Sequence, residues 1–384
     1  MKPLIVHPDM TYYGGAELVI VRLAQYLHMH GIEHGLLTTG ISDAVKNEIP
    51  GTEIIIVPPK WRKKFQTGVA VAFQSYLMTH PEWDVINIHN YPAELAIGKL
   101  TRPVVWMCNE PPLFHLQSTG HGLGELSKRA ILALDNWIVR NSIDITVVAD
   151  QFNANRFRNL YGKDPIIIPY GIDCEFFSSG NGNIAHGQFA PNNRFILLQV
   201  GIISPLKNQM ESIRCVDALK SDIPNILLIL AGKDDESYKL ILEKYISTHN
   251  LENHVYFSGH VSREEIRDLY HVCDVAIYPV HEQGSWLSPF EALCAHRLII
   301  VSEEFTVKEI IRNEGIGIVT NALSDVIRDI HQNPGKYSGI GDMGATWTQQ
   351  NLSWERFGNR MLKVFEDATS HNSRGSRLTA PETK

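Results

Sequence analysis

Three stretches of this 384-residue chain set glycine, lysine and carboxylate residues where an apolar run gives way to a helical pattern. Tyr13-Gly14-Gly15-Ala16-Glu17 follows the first such run. Two glycines let backbone approach a ligand closely, and free amides at a helix start favour an anion. Val200-Gly201-Ile202-Ile203-Ser204-Pro205-Leu206-Lys207-Asn208-Gln209 repeats that plan, with a lysine able to neutralise a phosphate. The third runs from His281 to Leu293. There Ser288 reads as an N-cap, Pro289 as the first helical residue and Glu291 as the end of a Ser-x-x-Glu capping box. Each has a plainer alternative: a simple turn, a solvated lysine, a cap and nothing more.

Two further groups lie at the ends of apolar runs. Trp106-Met107-Cys108-Asn109-Glu110-Pro111-Pro112 puts Asn109 and Glu110 in a loop. Of 17 scattered histidines, His89 sits where such a run stops. Lys60-Trp61-Arg62-Lys63-Lys64-Phe65 sets four cations among two aromatics, which reads as a solvated helix face or as contact with an anionic membrane. Asp-x-Asp, Walker A, His-Glu-x-x-His, Gly-x-Ser-x-Gly and Cys-x-x-Cys do not occur.

The elements that position these residues alternate. Strand-like runs occur at Leu4–His7, Gly35–Thr38, Glu53–Val57, Val85–His89, Val104–Met107, Ile145–Val148 and Ile166–Ile168. Helical patterns such as Gly15–His30 lie between them. The pattern lapses over Tyr170–Asn193, which is rich in Gly, Asn and Ser, and then restarts. Phe195–Val200, Asn225–Ala231, Val255–Phe257, Val275–Tyr278, Leu298–Val301 and Gly317–Val319 are strands, Gln209–Lys220 a helix and Trp354–Ala368 a long amphipathic helix. Such alternation predicts two α/β domains with parallel sheets. Ligands of such sheets bind beyond the carboxyl ends of the strands.

The length fits two domains. Apolar residues at 44% and charged residues at 20% exclude a largely disordered chain. A net charge of −7 argues against a general nucleic-acid binder. No window approaches the ~20 apolar residues that span a bilayer. Five separated cysteines predict neither a disulfide framework nor a structural zinc site, hence a reducing, cytoplasmic setting.

Taken together, these segments resemble the GT-B glycosyltransferases, specifically the retaining family 4, from Leu4 to about Asp367. Gly14-Gly-Ala-Glu17, Asp84-Val-Ile-Asn-Ile-His-Asn90, Pro169-Tyr-Gly-Ile-Asp173, Ser204-Pro-Leu-Lys-Asn-Gln209, Phe257-Ser-Gly-His-Val261 and Ser288-Pro-Phe-Glu-Ala-Leu293 carry the likeness by order and spacing. It implies two doubly wound Rossmann-like domains facing across a cleft. The expected limits are an acceptor-binding domain over 1–175, a linker over 176–193 and a nucleotide-sugar domain over 194–350. A helix over 351–368 crosses back to the first domain, and 369–384 form a disordered tail.

The resemblance also assigns roles. Lys207 neutralises the donor diphosphate, Glu291 bonds the ribose, and Gly284, Ser285, Trp286 and Leu287 hold phosphate or sugar. Gly15 approaches the diphosphate from the first domain, and Gly201 contributes to donor binding on the second. Gly232, Lys233 and His260-Val261 meet the base. His89, Asn109 and Glu110 face the acceptor. Three positions depart from the family pattern. Ile202 replaces an arginine, Gln283 replaces a glutamate although Glu282 is adjacent, and Asn109 replaces a catalytic-loop histidine. The expected catalytic group is therefore Lys207, Glu291, Gln283 and Asn109, with no cofactor and no metal. The expected partners are a nucleotide sugar, a glycan or lipid-linked acceptor and a peripheral membrane surface, with no nucleic acid. The leading reading is a retaining, metal-independent glycosyltransferase. The others are a degenerate GT-B protein that binds a glycan or partner enzyme, and an epimerase of the same architecture.

Overall fold

A computed structural model describes residues 1–12, 14–61, 65–98, 100–109, 125–182, 194–233, 235–281 and 287–372. The chain divides into two compact units, Met1–Gly171 with Trp354–Lys384, and Ile172–Ser353.

The first unit runs β1 (Pro3–Val6), α1 (Gly15–Met29), β2 (Gly35–Thr38), α2 (Asp43–Glu48), β3 (Glu53–Ile56), α3 (Phe65–Thr79) and β4 (Val85–His89). It continues with a 3₁₀ turn (Ala93–Ala96), β5 (Val104–Met107), α4 (Glu125–Ser142), β6 (Ile145–Val148), α5 (Gln151–Tyr161) and β7 (Ile166–Ile167). The described strands form a parallel sheet in the order β3-β2-β1-β4-β5-β6-β7. Central strands are buried on both faces, which is why they read as unbroken apolar runs. Successive residues feed opposite cores. Ile5, Val85 and Val105 enter one cluster, Leu4, Ile86 and Trp106 the other.

The second unit runs α6 (Cys174–Ser178), β8 (Phe195–Val200), a 3₁₀ turn (Pro205–Lys207), α7 (Gln209–Leu219), β9 (Ile226–Ala231), α8 (Glu236–Thr248), β10 (Val255–Gly259), α9 (Arg263–Val272) and β11 (Val275–Tyr278). It then adds α10 (Leu287–Cys294), β12 (Leu298–Val301), α11 (Lys308–Glu314), β13 (Ile318–Val319), α12 (Leu323–Gln332) and α13 (Ile340–Asn351). Its sheet order is β10-β9-β8-β11-β12-β13, again parallel. Order reverses between β1 and β4 and between β8 and β11, the switch points at which such sheets open for ligands.

The last helix, α14 (Trp354–Asn372), returns to the first unit. Phe357, Met361, Val364, Phe365 and Ala368 recur at helical spacing and join the core that α1 enters. Full burial of such side chains stabilises by about 1.5–3 kcal/mol each. Gly358 lets the helix close on α1, since a Cβ there would sit 2.2 Å from Tyr26 Cγ. Tyr26 Oη also donates to Asn359 Oδ1 at 2.8 Å. The helix continues through residues 369–372, which the sequence assigns to a disordered tail. Residues 373–384 and 183–193 of the expected tail and linker lie outside the described residues.

Two expectations change here. The first unit ends at Gly171 rather than residue 175, because α6 is held by the second unit. His271 Nε2 lies 2.7 Å from the Phe177 carbonyl oxygen, and Arg263 Nη2 lies 3.1 Å from Asp173 Oδ2. The second correction concerns cysteine. Cys174 and Cys294 form a disulfide, although 120 residues separate them. Chain separation set the expectation, and packing of α6 against α10 overrides it. The argument for a reducing compartment from cysteine usage falls with it. Cys108, Cys215 and Cys273 are buried thiols.

Candidate functional site

In the second unit, three loops at the carboxyl ends of neighbouring strands are joined through their backbones. Gly201 N donates to the Ala231 carbonyl at 2.9 Å, Gly232 N to Gly259 at 3.0 Å and Ile203 N to Lys233 at 2.9 Å. Gly201 and Gly232 have φ of 151° and 157°, values that side chains disfavour. The aliphatic stem of Lys207 passes Gly201, with Cδ and Cε 3.7 Å from where a Cβ would stand. Lys207 is only 9% exposed, so it is not the solvated surface lysine of the plainer reading. Its carbonyl accepts from Gln199 Nε2 at 2.7 Å, and Ser212 Oγ donates to Gln199 Oε1 at 2.7 Å. These buried bonds set the turn that carries Lys207. Ile202 beside it is 58% exposed. Lys233 is exposed and Val261 half-buried.

On the other side of the switch point, α10 starts at Leu287 rather than at Pro289. Ser288 therefore lies inside the first turn, and Glu291 does not close a box with it. The Glu291 carboxylate instead receives Tyr270 Oη at 3.4 Å. Both Tyr270 Oη and Tyr278 Oη donate to the Ser288 carbonyl at 3.0 Å. Burial pushes the Glu291 carboxyl up to about 7, against the pull of Arg263 and the Tyr270 bond. Glu282, Gln283, Gly284, Ser285 and Trp286 lie outside the described residues, as do Glu110 and the cations Arg62, Lys63 and Lys64.

The first unit offers a polar chain at the ends of β1, β4 and β5. Tyr170 Oη donates to Asn109 Oδ1 at 2.6 Å, and Asn109 Nδ2 to Asn90 Oδ1 at 2.9 Å. Asn90 Nδ2 lies 3.1 Å from His7 Nε2, and Glu17 Oε1 lies 3.5 Å from the same nitrogen. Burial holds His7 down to about 4, so its ring is neutral at physiological pH. Gly15 opens α1 with nothing within 4 Å of where a Cβ would stand. Asn109 is thus joined to this group.

His89, expected to face the acceptor, lies inside the first unit. It is fully buried, its Nε2 lies 2.8 Å from Asn87 Oδ1, and burial lowers its pKa to about 3. As the last residue of a strand covered on both faces, it turns inward, and Asn90 is the residue that leaves the sheet. Sequence reasoning missed His7, Asn90 and Tyr170 as a group. The signal available was their place just past strand ends.

In the 3₁₀ turn Ala93–Ala96, Glu94 is fully buried, and neither carboxylate oxygen has a hydrogen-bond partner among the described residues. Burial first, and the charge of Asp135 second, raise it to about 8. Asp135 accepts from Tyr161 Oη at 2.7 Å and is raised to about 6, again by burial.

Cavities occur at both ends of the second sheet. One of about 190 Å³ lies beyond the carboxyl ends of β11, β12 and β13, where Asn208 and His281 contribute. A larger one, about 460 Å³, opens at the opposite end beside Asp274 and Arg297. The charged, glycine-lined loops mark the carboxyl end as the candidate site, since volume alone carries no chemistry. No group of three His, Cys, Asp or Glu residues placed to hold a metal occurs among the described residues.

Comparison with known proteins bears on the family and the fold. The model of glycosyltransferase family 4 matches residues 13–176, and that of glycosyl transferases group 1 matches residues 183–346. The chain is a GT-B glycosyltransferase. This glycosyltransferase is 20% identical to the GDP-mannose-dependent α-(1-6)-phosphatidylinositol monomannoside mannosyltransferase of Mycolicibacterium smegmatis, over 81% of its own chain and 90% of that protein. It is 23% identical to the alpha-monoglucosyldiacylglycerol synthase of Acholeplasma laidlawii, over 84% and 85%. The structure of Anabaena HepE in complex with UDP-glucose superimposes with a TM-score of 0.77 at 16% identity, covering 96% of this glycosyltransferase and all of that chain. It transfers a sugar from a nucleotide sugar, as an enzyme of the hexosyltransferase type.

Proposed function

We propose that transfer proceeds with retention and without a metal, from a donor held on the second unit to a lipid-linked or glycan acceptor held on the first. The observation that carries the donor assignment is Lys207, drawn in over Gly201 at the end of β8. A cation there meets the diphosphate as the bond from the anomeric carbon to phosphate oxygen breaks. Stabilising charge as it develops on a leaving group is commonly a large part of catalysis. The leaving phosphate oxygen then takes the proton of the acceptor hydroxyl that bonds the anomeric carbon. Metal independence is supported by the lack of an Asp-x-Asp sequence.

The names of two relatives above include a lipid, phosphatidylinositol monomannoside in one and monoglucosyldiacylglycerol in the other, which favours a lipid-linked acceptor here. Trp61 is 51% exposed at the start of the basic-aromatic stretch, which suits peripheral contact with an anionic membrane. No helix among the described residues is long and apolar enough to cross one.

The test is a donor-hydrolysis and binding screen with UDP-, GDP- and ADP-sugars on wild type and Lys207→Ala. The variant is expected to lose nucleoside-diphosphate affinity far more than affinity for the bare nucleoside. Equal losses for both would remove Lys207 from the diphosphate. Binding without any hydrolysis or transfer would favour a degenerate, binding-only protein.

A further inference from the structure

We propose that Tyr270 is a positioning residue for donor binding, its buried hydroxyl aiming the Glu291 carboxylate at the nucleotide ribose. The inference rests on the reading that Glu291 accepts a ribose hydroxyl.

Tyr270 is wholly buried on α9, and its hydroxyl stands among three oxygens. Ser288 O is 3.0 Å away, Glu291 Oε2 3.4 Å and Tyr278 Oη 3.4 Å. A phenol has one proton to give. Tyr278, also buried, donates its own proton to the Ser288 carbonyl at 3.0 Å. The single Tyr270 proton is therefore shared between the Ser288 carbonyl and Glu291 Oε2. The bond from Tyr270 reaches the Glu291 carboxylate at Oε2. The two tyrosines therefore clamp the first turn of α10 at both its backbone and its carboxylate.

Among the described residues, the groups that face Glu291 come from two elements. From α9 come Tyr270 and Arg263, and from β11 comes Tyr278. Arg263 is itself held by Asp173 at 3.1 Å and by the ring of Phe176 at 4.4 Å. Tyr270 and Arg263 both favour the ionised carboxylate, and burial opposes it. Only the anion accepts hydroxyl protons at both oxygens. Removing the Tyr270 hydroxyl leaves the acid protonated to higher pH, so the orientation and the charge state of Glu291 change together.

The experiment titrates UDP or GDP, whichever the screen shows to bind, against its 2′-deoxy and 3′-deoxy forms from pH 6 to 9. Wild type, Glu291→Gln, Tyr270→Phe and Tyr278→Phe are compared. Wild type should prefer the ribonucleotide by roughly tenfold or more, since a missing hydroxyl leaves a carboxylate oxygen unpaired. Glu291→Gln should lose most of that preference. Tyr270→Phe should lose about five- to tenfold at pH 7 and regain it by pH 9, with the midpoint moved up. A merely structural defect would not recover with pH.

Tyr278→Phe frees a lone pair of Ser288 and draws the Tyr270 proton away, so it should shift the midpoint in the same direction by less. It carries the test should Tyr270→Phe fail to fold. If Glu291→Gln abolishes the preference while neither tyrosine variant moves the midpoint, the inference fails and the ribose reading stands. If Glu291→Gln leaves the preference intact, the ribose reading fails and takes the inference with it.

Discussion

A methyl group added to Gly232 would sit 2.0 Å from the carbonyl oxygen of Gly201. These two glycines follow β9 and β8, and their contact presses the Lys233 loop against the Ile202 loop. Gly232→Ala must move backbone, and its φ of 157° is unfavourable for any side chain. It is expected to destabilise by about 3 kcal/mol or more and to weaken donor binding. Gly259→Ala is the comparison. Its φ is 69°, but nothing stands within 4 Å of the added atom, so about 1 kcal/mol is expected. Denaturant melts of both variants measure this, and equal losses would show that the close approach is unimportant.

Ile202 projects from the same loop and is 58% exposed, so arginine can be built there without displacing a core. Beside Lys207 it would add a second cation to the diphosphate. Ile202→Arg is expected to tighten nucleoside-diphosphate binding about tenfold, or ~1.4 kcal/mol, and to leave nucleoside binding alone. Calorimetric titration of both ligands decides it. Unchanged affinity would mean that another group already supplies the charge.

Glu94 makes the stability of the first unit depend on pH. Its folded pKa, about 8, stands above the ordinary 4.5. The folded chain therefore holds a proton that the unfolded chain releases. Stability falls as pH rises from about 4.5 to about 8, by at most ~1.4 kcal/mol per pH unit from this group. Glu94→Gln removes that slope. The variant should be more stable than wild type at pH 8, with an advantage that shrinks towards pH 5. Parallel pH dependence in the two proteins would disprove it.

The Cys174–Cys294 bond closes a stretch of 120 residues. On the chain-entropy account, such a bond stabilises by up to about 4–5 kcal/mol. Alkylation of the unreduced, denatured protein should label Cys108, Cys215 and Cys273 but neither Cys174 nor Cys294. Cys174→Ser with Cys294→Ser should lower the melting temperature of the second unit and leave the first unit's transition in place. Five labelled cysteines would show that the bond does not form.

The sequence by itself determined the architecture. Parallel strands covered on both faces must be apolar along their whole length, so runs such as Val85–His89, Val104–Met107 and Phe195–Val200 show their own limits. Glycines after those runs also announced where a ligand could approach. What a residue meets when it arrives was decided only by tertiary structure. Tyr170 reaches Asn109 across 61 positions and Tyr270 reaches Glu291 across 21. The same packing buries Glu94 without a hydrogen-bond partner among the described residues, turns His89 inward and brings Cys174 to Cys294. Local pattern specifies which face of an element is apolar. The side chain opposite that face belongs to another element, and no local pattern names it.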